Sequence, residues 1–95
     1  MFVLETKLDP RDAFVVAVKN AFKRAELPLA DRVPGKTPPD AAVIRLEMQV
    51  DGTSVLATVP PAGPQSRKEF LEENPDTLEI ALGDYLVRHV RRKPN

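Results

Sequence analysis

The chain contains no cysteine and no tryptophan, and it has one histidine, one tyrosine and four glycines among its 95 residues. Each shortage excludes something. Without cysteine there is no disulfide framework, no thiolate metal centre and no cysteine nucleophile. A lone imidazole, His89, leaves general acid–base chemistry and a nucleophilic triad with one candidate. No apolar run approaches the ~18 residues of a membrane span. The first residues, Met1 to Lys7, lack the basic-then-apolar order of a secretory signal. A cytoplasmic protein without membrane association is the expectation. Net charge is also lacking: 14 Lys and Arg offset 14 Asp and Glu, which argues against a chain that coats nucleic acid through its overall charge.

What is abundant is proline, ten residues in all, about twice the usual ~5% share. Hydrophobic residues make up 42% of the chain, enough for one core, and the length suits one domain over residues 1–95. Proline fixes φ and has no N–H, so it stays out of helix interiors and central strands. The proline-free runs 11–27, 40–59, 65–74 and 76–93 are therefore the candidate elements.

Residues 2–8 alternate, with Phe2, Leu4 and Leu8 on one face and Val3, Glu5 and Lys7 on the other, as in a half-buried strand. Asp9 suits a helix N-cap and Pro10 a first helical position. Phe14, Ala17, Val18, Ala21, Phe22 and Ala25 then form one helical stripe, and Val16 falls among the charged positions opposite. Residues 28–39 read as a proline-rich connector. Ala42 to Val50 alternate again, and Asp51-Gly52 is the preferred pair for a two-residue type I′ hairpin. That turn sets Met48 opposite Val55 and Leu46 opposite Ala57, so turn chemistry and apolar pattern select one register.

Ser66-Arg67-Lys68-Glu69 has the capping-box pattern and predicts a short helix ended by Asn74-Pro75. A longer helix is expected from there to about Arg92, acidic at its start and basic at its end, as the helix dipole favours. The order is β-α-β-β-α with the short extra helix before the last. The fold class is α+β: a two-layer sandwich with helices on one face of a three-stranded sheet. The first strand could pair with the second, or with the third as in a split βαβ unit; the latter, which makes the sheet fully antiparallel, is the expectation. Residues 92–95 are a short basic tail.

No motif carries catalysis. Ala30-Asp-Arg-Val-Pro-Gly-Lys-Thr37 has the outline of a relaxed phosphate loop, but Pro38-Pro39 stand where the phosphate-binding helix must begin. The helical wheel sets His89 beside Leu78, Leu82 and Tyr85 at the edge of the core. Glu69, Glu72, Glu73, Asp76, Glu79 and Asp84 form an acidic stretch whose spacing matches no calcium loop. The open face of the sheet holds no aromatic on which a base could stack. These observations predict no enzyme, no cofactor, no metal and no small-molecule substrate.

Two surfaces remain. The long helix is apolar on two sides. Its core stripe is Leu78, Ala81, Leu82, Tyr85 and Leu86, and Ile80, Gly83, Val87 and Val90 follow a second seam with 3-4-3 spacing. With Val16, this seam is the candidate partner interface. It predicts a small non-enzymatic protein–protein interaction or regulatory module, acting as a homodimer, another homo-oligomer or a subunit of a larger assembly. The alternative is a nucleic-acid-associated regulator that uses Arg88, Arg91, Arg92 and Lys93 at the basic helix end.

Overall fold

The alternation at the N-terminus becomes strand β1, Phe2–Thr6. A turn at Asp9 to Asp12 leads to helix α1, Ala13–Arg24. Then come β2 (Leu29–Asp31), β3 (Ala42–Met48), β4 (Val55–Val59) and β5 (Lys68–Glu72). Helix α2, Pro75–Tyr85, runs directly into a π-helical turn, Leu86–Val90. The computed structural model describes residues 1–61 and 67–91.

The fold is α+β, with two helices and a five-stranded mixed sheet in the order β2-β1-β3-β4-β5. The α+β class agrees with the sequence. The three-stranded antiparallel sheet does not. β1 pairs in parallel with β3, from Phe2 opposite Ala42 to Thr6 opposite Leu46. On its other side it pairs in parallel with β2, which lies inside the stretch expected to be a connector. Helix α1 returns the chain so that β2 runs with β1, and residues 32–41 carry it across to β3 on the far side. The edge of β4 that β1 would need for an antiparallel sheet is occupied by β5.

β5 replaces the expected short helix. Lys68-Glu-Phe-Leu-Glu72 consists mostly of good helix formers, but pairing sets Phe70 opposite Ala57 and leaves it only 8% exposed. Tertiary pairing overrides local propensity here. Ser66, the residue that suggested the cap, lies outside the described residues.

Helix α1 starts three residues later than expected. Asp12 caps it, accepting from the Phe14 N–H at 2.8 Å. Asp9 instead closes the preceding turn, accepting from the Arg11 N–H at 2.7 Å. The predicted stripe is buried in full, and Val15 joins it. Both helices pack on one side of the sheet. Phe14, Val18, Phe22, Leu78, Leu82 and Leu86 meet Leu4, Ile44, Leu46, Val55, Ala57, Val59 and Phe70 in one core.

The hairpin register is as expected, Met48 opposite Val55 and Leu46 opposite Ala57, but the turn is wider. The Gln49 N–H donates to the Ser54 carbonyl at 2.8 Å and the Gly52 N–H to the Gln49 carbonyl at 3.0 Å. Only Gly52, at φ 74°, is left-handed in this loop, whereas type I′ needs two such residues. Asp51 holds the loop from inside. Its carboxylate accepts from the Thr53 and Ser54 N–H groups, both at 2.9 Å, and from the Ser54 hydroxyl at 2.5 Å. These donors lower its pKa from 3.8 to about 2, with the Ser54 hydroxyl first among them.

A carboxyl depressed in this way is bound more tightly as the anion in the folded chain than in the unfolded one. Its contribution is complete above the unfolded value and is lost as pH falls through the folded one. We therefore expect the Asp51 side-chain carbon to titrate near 2 in an NMR pH series. We also expect Asp51→Asn to remove part of the acid dependence of stability between that pH and 3.8. A midpoint at the ordinary carboxylate value would show that the cap does not form.

Candidate interaction surface

The sheet and helices place the five seam residues differently. Helices α1 and α2 lie side by side, with Gly83 facing Ala21 and the Arg24 stem. Gly83 is buried inside the domain, so it is not part of a partner-facing seam. A methyl group added there would meet Arg24 at 3.7 Å and Ala21 at 3.8 Å, which is ordinary contact. Val90 packs partly against the core. Ile80 is 61% exposed, Val16 42% and Val87 40%.

Glu79, next to Ile80 on α2, accepts from the Arg24 guanidinium at 2.7 Å and from the Asn20 amide at 3.2 Å, so a polar bridge joins the two helices beside Ile80. The two-heptad pattern also assumed one continuous α-helix. From Leu86 the chain adds a residue to the turn, with the Arg91 N–H donating to the Leu86 carbonyl at 2.7 Å. That π-turn shifts the phase of everything after it. His89 is a consequence. The sequence set it at the core edge, whereas the structure leaves it exposed, its ring tilted against Tyr85 at 5.2 Å.

The basic end is largely engaged. Arg88 pairs with Asp84 at 3.0 Å, and Arg91 with Glu26 at 3.3 Å. Arg92 and Lys93 lie outside the described residues. Among the described residues no cluster of His, Cys, Asp and Glu could hold a metal ion, and no helix is long and apolar enough to cross a membrane.

The stretch that resembled a phosphate loop follows β2 and leads to β3 rather than to a helix. With Leu4, Glu5, Lys19 and Asp31 it lines a cleft of about 600 Å³ near the carboxyl ends of β1 and β2. The charges there are already paired, Lys19 with Asp31 at 3.6 Å and Glu5 with Arg32. Arg45 approaches Glu5 from β3 at 3.3 Å. Glu5 and Arg45, opposite each other on β1 and β3, lie on the face away from the helices, whereas Lys19 reaches Asp31 from α1. Among the described residues both cations that line the cleft, Lys19 and Arg32, have a carboxylate partner.

The surface that the sequence missed is at β5. Among the described residues, no strand pairs with its outer edge. It is five residues long and free of proline. The opposite edge, β2, has three residues and is bracketed by Pro28 and Pro34. Short strands and neighbouring prolines are devices that blunt an edge. On the open face of β5, Leu71 is 62% exposed and lies opposite half-buried Leu56 of β4. On the helix face, Phe70 meets Tyr85 edge-on at 5.7 Å, and Lys68 Nζ lies 5.5 Å from the Phe70 ring centroid. The Tyr85 hydroxyl is buried there without a hydrogen-bond partner among the described residues. A signal for this edge was available. The ten positions 65–74 between two prolines are few for a helix, and adjacent Phe70 and Leu71 suit two opposite faces of a strand.

No protein-family model, no curated protein and no solved structure matches this chain. Its function is read from the surfaces just described.

Proposed function

We propose that this chain is a small, non-enzymatic protein-interaction module that receives an extended segment of another polypeptide along β5. The observation that carries this reading is the proline-free outer edge of β5, which no strand covers among the described residues, with Leu71 exposed beside it. Main-chain N–H and C=O groups on such an edge supply affinity, and side chains that alternate between the faces supply selectivity. Leu71 and Leu56 form the apolar contact on the open face, and Lys68 and Glu72 flank Phe70 on the other.

The exposed side of α2 supports the same class of function less well. With Gly83 buried and Val90 half-buried, Ile80 and Val87 remain as separate apolar residues, and scattered ones are normal on a surface. Nucleic-acid contact through Arg88, Arg91, Arg92 and Lys93 has less support again, since Arg88 and Arg91 already have carboxylate partners.

The test is selection from a displayed library of ten-residue peptides, followed by variants. Peptides captured by the wild type should lose binding to Leu71→Glu by about tenfold or more, because a charge is then opposed to the apolar contact. They should keep binding to an Ile80→Glu, Val87→Glu variant. The reverse pattern would move the site to α2, and equal binding to all three proteins would remove both surfaces.

A further inference from the structure

We infer that the segment β5 receives is β5 of a second copy of this chain, paired antiparallel about a two-fold axis through Phe70. This inference rests on the reading of β5 as the interaction edge and names its occupant.

The charge order along the strand points to this pairing. Residues 67–73 read Arg-Lys-Glu-Phe-Leu-Glu-Glu, with two cations at the start and two anions at the end. An antiparallel partner centred on Phe70 sets Lys68 opposite Glu72 of the second copy, and Arg67 opposite its Glu73. The two-fold axis repeats both pairs. Residues directly opposite across an antiparallel pair have side chains in reach, so opposite charges stabilise and like charges destabilise. In parallel, in-register pairing each of these charges would meet its own kind. Shifting the antiparallel register by two residues in one direction sets Glu69 opposite Glu69, and in the other sets Glu69 opposite Glu73. The charges on an edge usually guard against pairing, but here their order permits one self-pairing and opposes those neighbours.

The geometry of the domain permits it as well. Opposite residues in an antiparallel pair point to the same face. Phe70 faces the helices, so this register keeps both helical layers on one side of a sheet doubled in width. The two Phe70 side chains meet on that side, next to the buried Tyr85 hydroxyl, which has no partner among the described residues of the single copy. Leu71 meets the stem of Glu69 from the second copy on the open face. An isologous contact of this kind closes on itself and uses up the edge, whereas β2, the other edge, is too short to extend the array.

The absence of cysteine from the chain makes the register directly testable. Glu69→Cys and Leu71→Cys both change exposed positions. In the proposed pair, 69 of one copy faces 71 of the other at about 4.5–5.5 Å between Cβ atoms, while 69 and 69 lie about 7–8 Å apart. A disulfide needs about 3.5–4.5 Å. Mixed under mild oxidation, the two variants should form a cross-linked dimer, and each alone should form much less. In sedimentation equilibrium the wild type should dimerise. Lys68→Glu should weaken the dimer by roughly tenfold, because both symmetric pairs become repulsive. Adding Glu72→Lys to that variant should restore it, and circular dichroism should show all of them folded.

A wild type that stays monomeric into the millimolar range overturns self-pairing. In that case, library peptides lost on Leu71→Glu would still uphold β5 as an edge for a different partner. A dimer that ignores the charge reversal and cross-links through cysteines at Ile80 and Val87 overturns both the self-pairing and the β5 site.

Discussion

Truncating Phe22 to alanine is expected to cost about 3–5 kcal/mol of folding stability. Phe22 is 1% exposed and sits where α1 closes over β1, with the Phe2 ring edge-on at 5.5 Å. Its removal leaves a ring-sized cavity among Leu4, Val18 and Ala25, and loses the aromatic contact as well. The backbone around it is held independently, with the Leu27 N–H donating to the Phe22 carbonyl at 2.9 Å, so the helix end has no ready way to collapse into the space. A domain of this size has about 5–15 kcal/mol in total, so a large share is at stake. Urea denaturation should show a lower midpoint with an unchanged slope. Phe22→Leu, which keeps most of the volume, should cost only about 1–2 kcal/mol. Equal costs for the two variants would mean that the ring does not fill the core as described.

The second large effect is at Leu82, and it is directional. Leu82 is fully buried, while Ile80, two residues earlier on α2, is 61% exposed. Leu82→Ala should cost about 2–5 kcal/mol, whereas Ile80→Ala should stay within about 0.5 kcal/mol. The two residues differ by one methylene's placement, so composition does not separate them; only the rotation of the helix does. Similar losses at both positions would show that α2 presents a different face to the sheet. The same pair of variants bears on function, because an Ile80→Ala protein of normal stability is a sound background for binding measurements.

The contrast between these two residues shows how far local pattern reaches. The stripe Phe14, Ala17, Val18, Ala21, Phe22 and Ala25 was legible because helical spacing repeats over about three turns, and every member is buried. Leu78, Leu82, Tyr85 and Leu86 were legible for the same reason. The hairpin register from Met48–Val55 to Leu46–Ala57 followed from two local signals that agreed. The turn itself was read too tightly, because the Asp51 carboxylate organises a wider loop through Thr53 and Ser54, and a dipeptide preference does not register that side chain.

The seam of Ile80, Gly83, Val87 and Val90 was legible as a pattern, but of its members only Ile80 and Val87 are exposed. A wheel drawn for one helix does not include the neighbour that covers Gly83 or the π-turn that rephases Val87, His89 and Val90. The β5 edge was hidden in the opposite way. Its residues favour a helix in isolation, and only β4 beside them makes them a strand.

Proline positions and hydrophobic periodicity act within a few positions along the chain. They determined by themselves that α1, α2, β1, β3 and β4 form and which sides of them are apolar, though not the first turn of α1, which Asp12 rather than Asp9 caps. Prolines next to these elements, among them Pro10, Pro39, Pro60 and Pro75, marked most of their limits. They did not mark β2, between Pro28 and Pro34, because three residues carry no period. Tertiary structure alone decided that the sheet is mixed, that β1 lies between β2 and β3, and that β5 is a strand with no neighbour on its outer edge among the described residues. The physical reason is that strand pairing joins residues far apart in sequence. Its energy depends on partners that no local window contains.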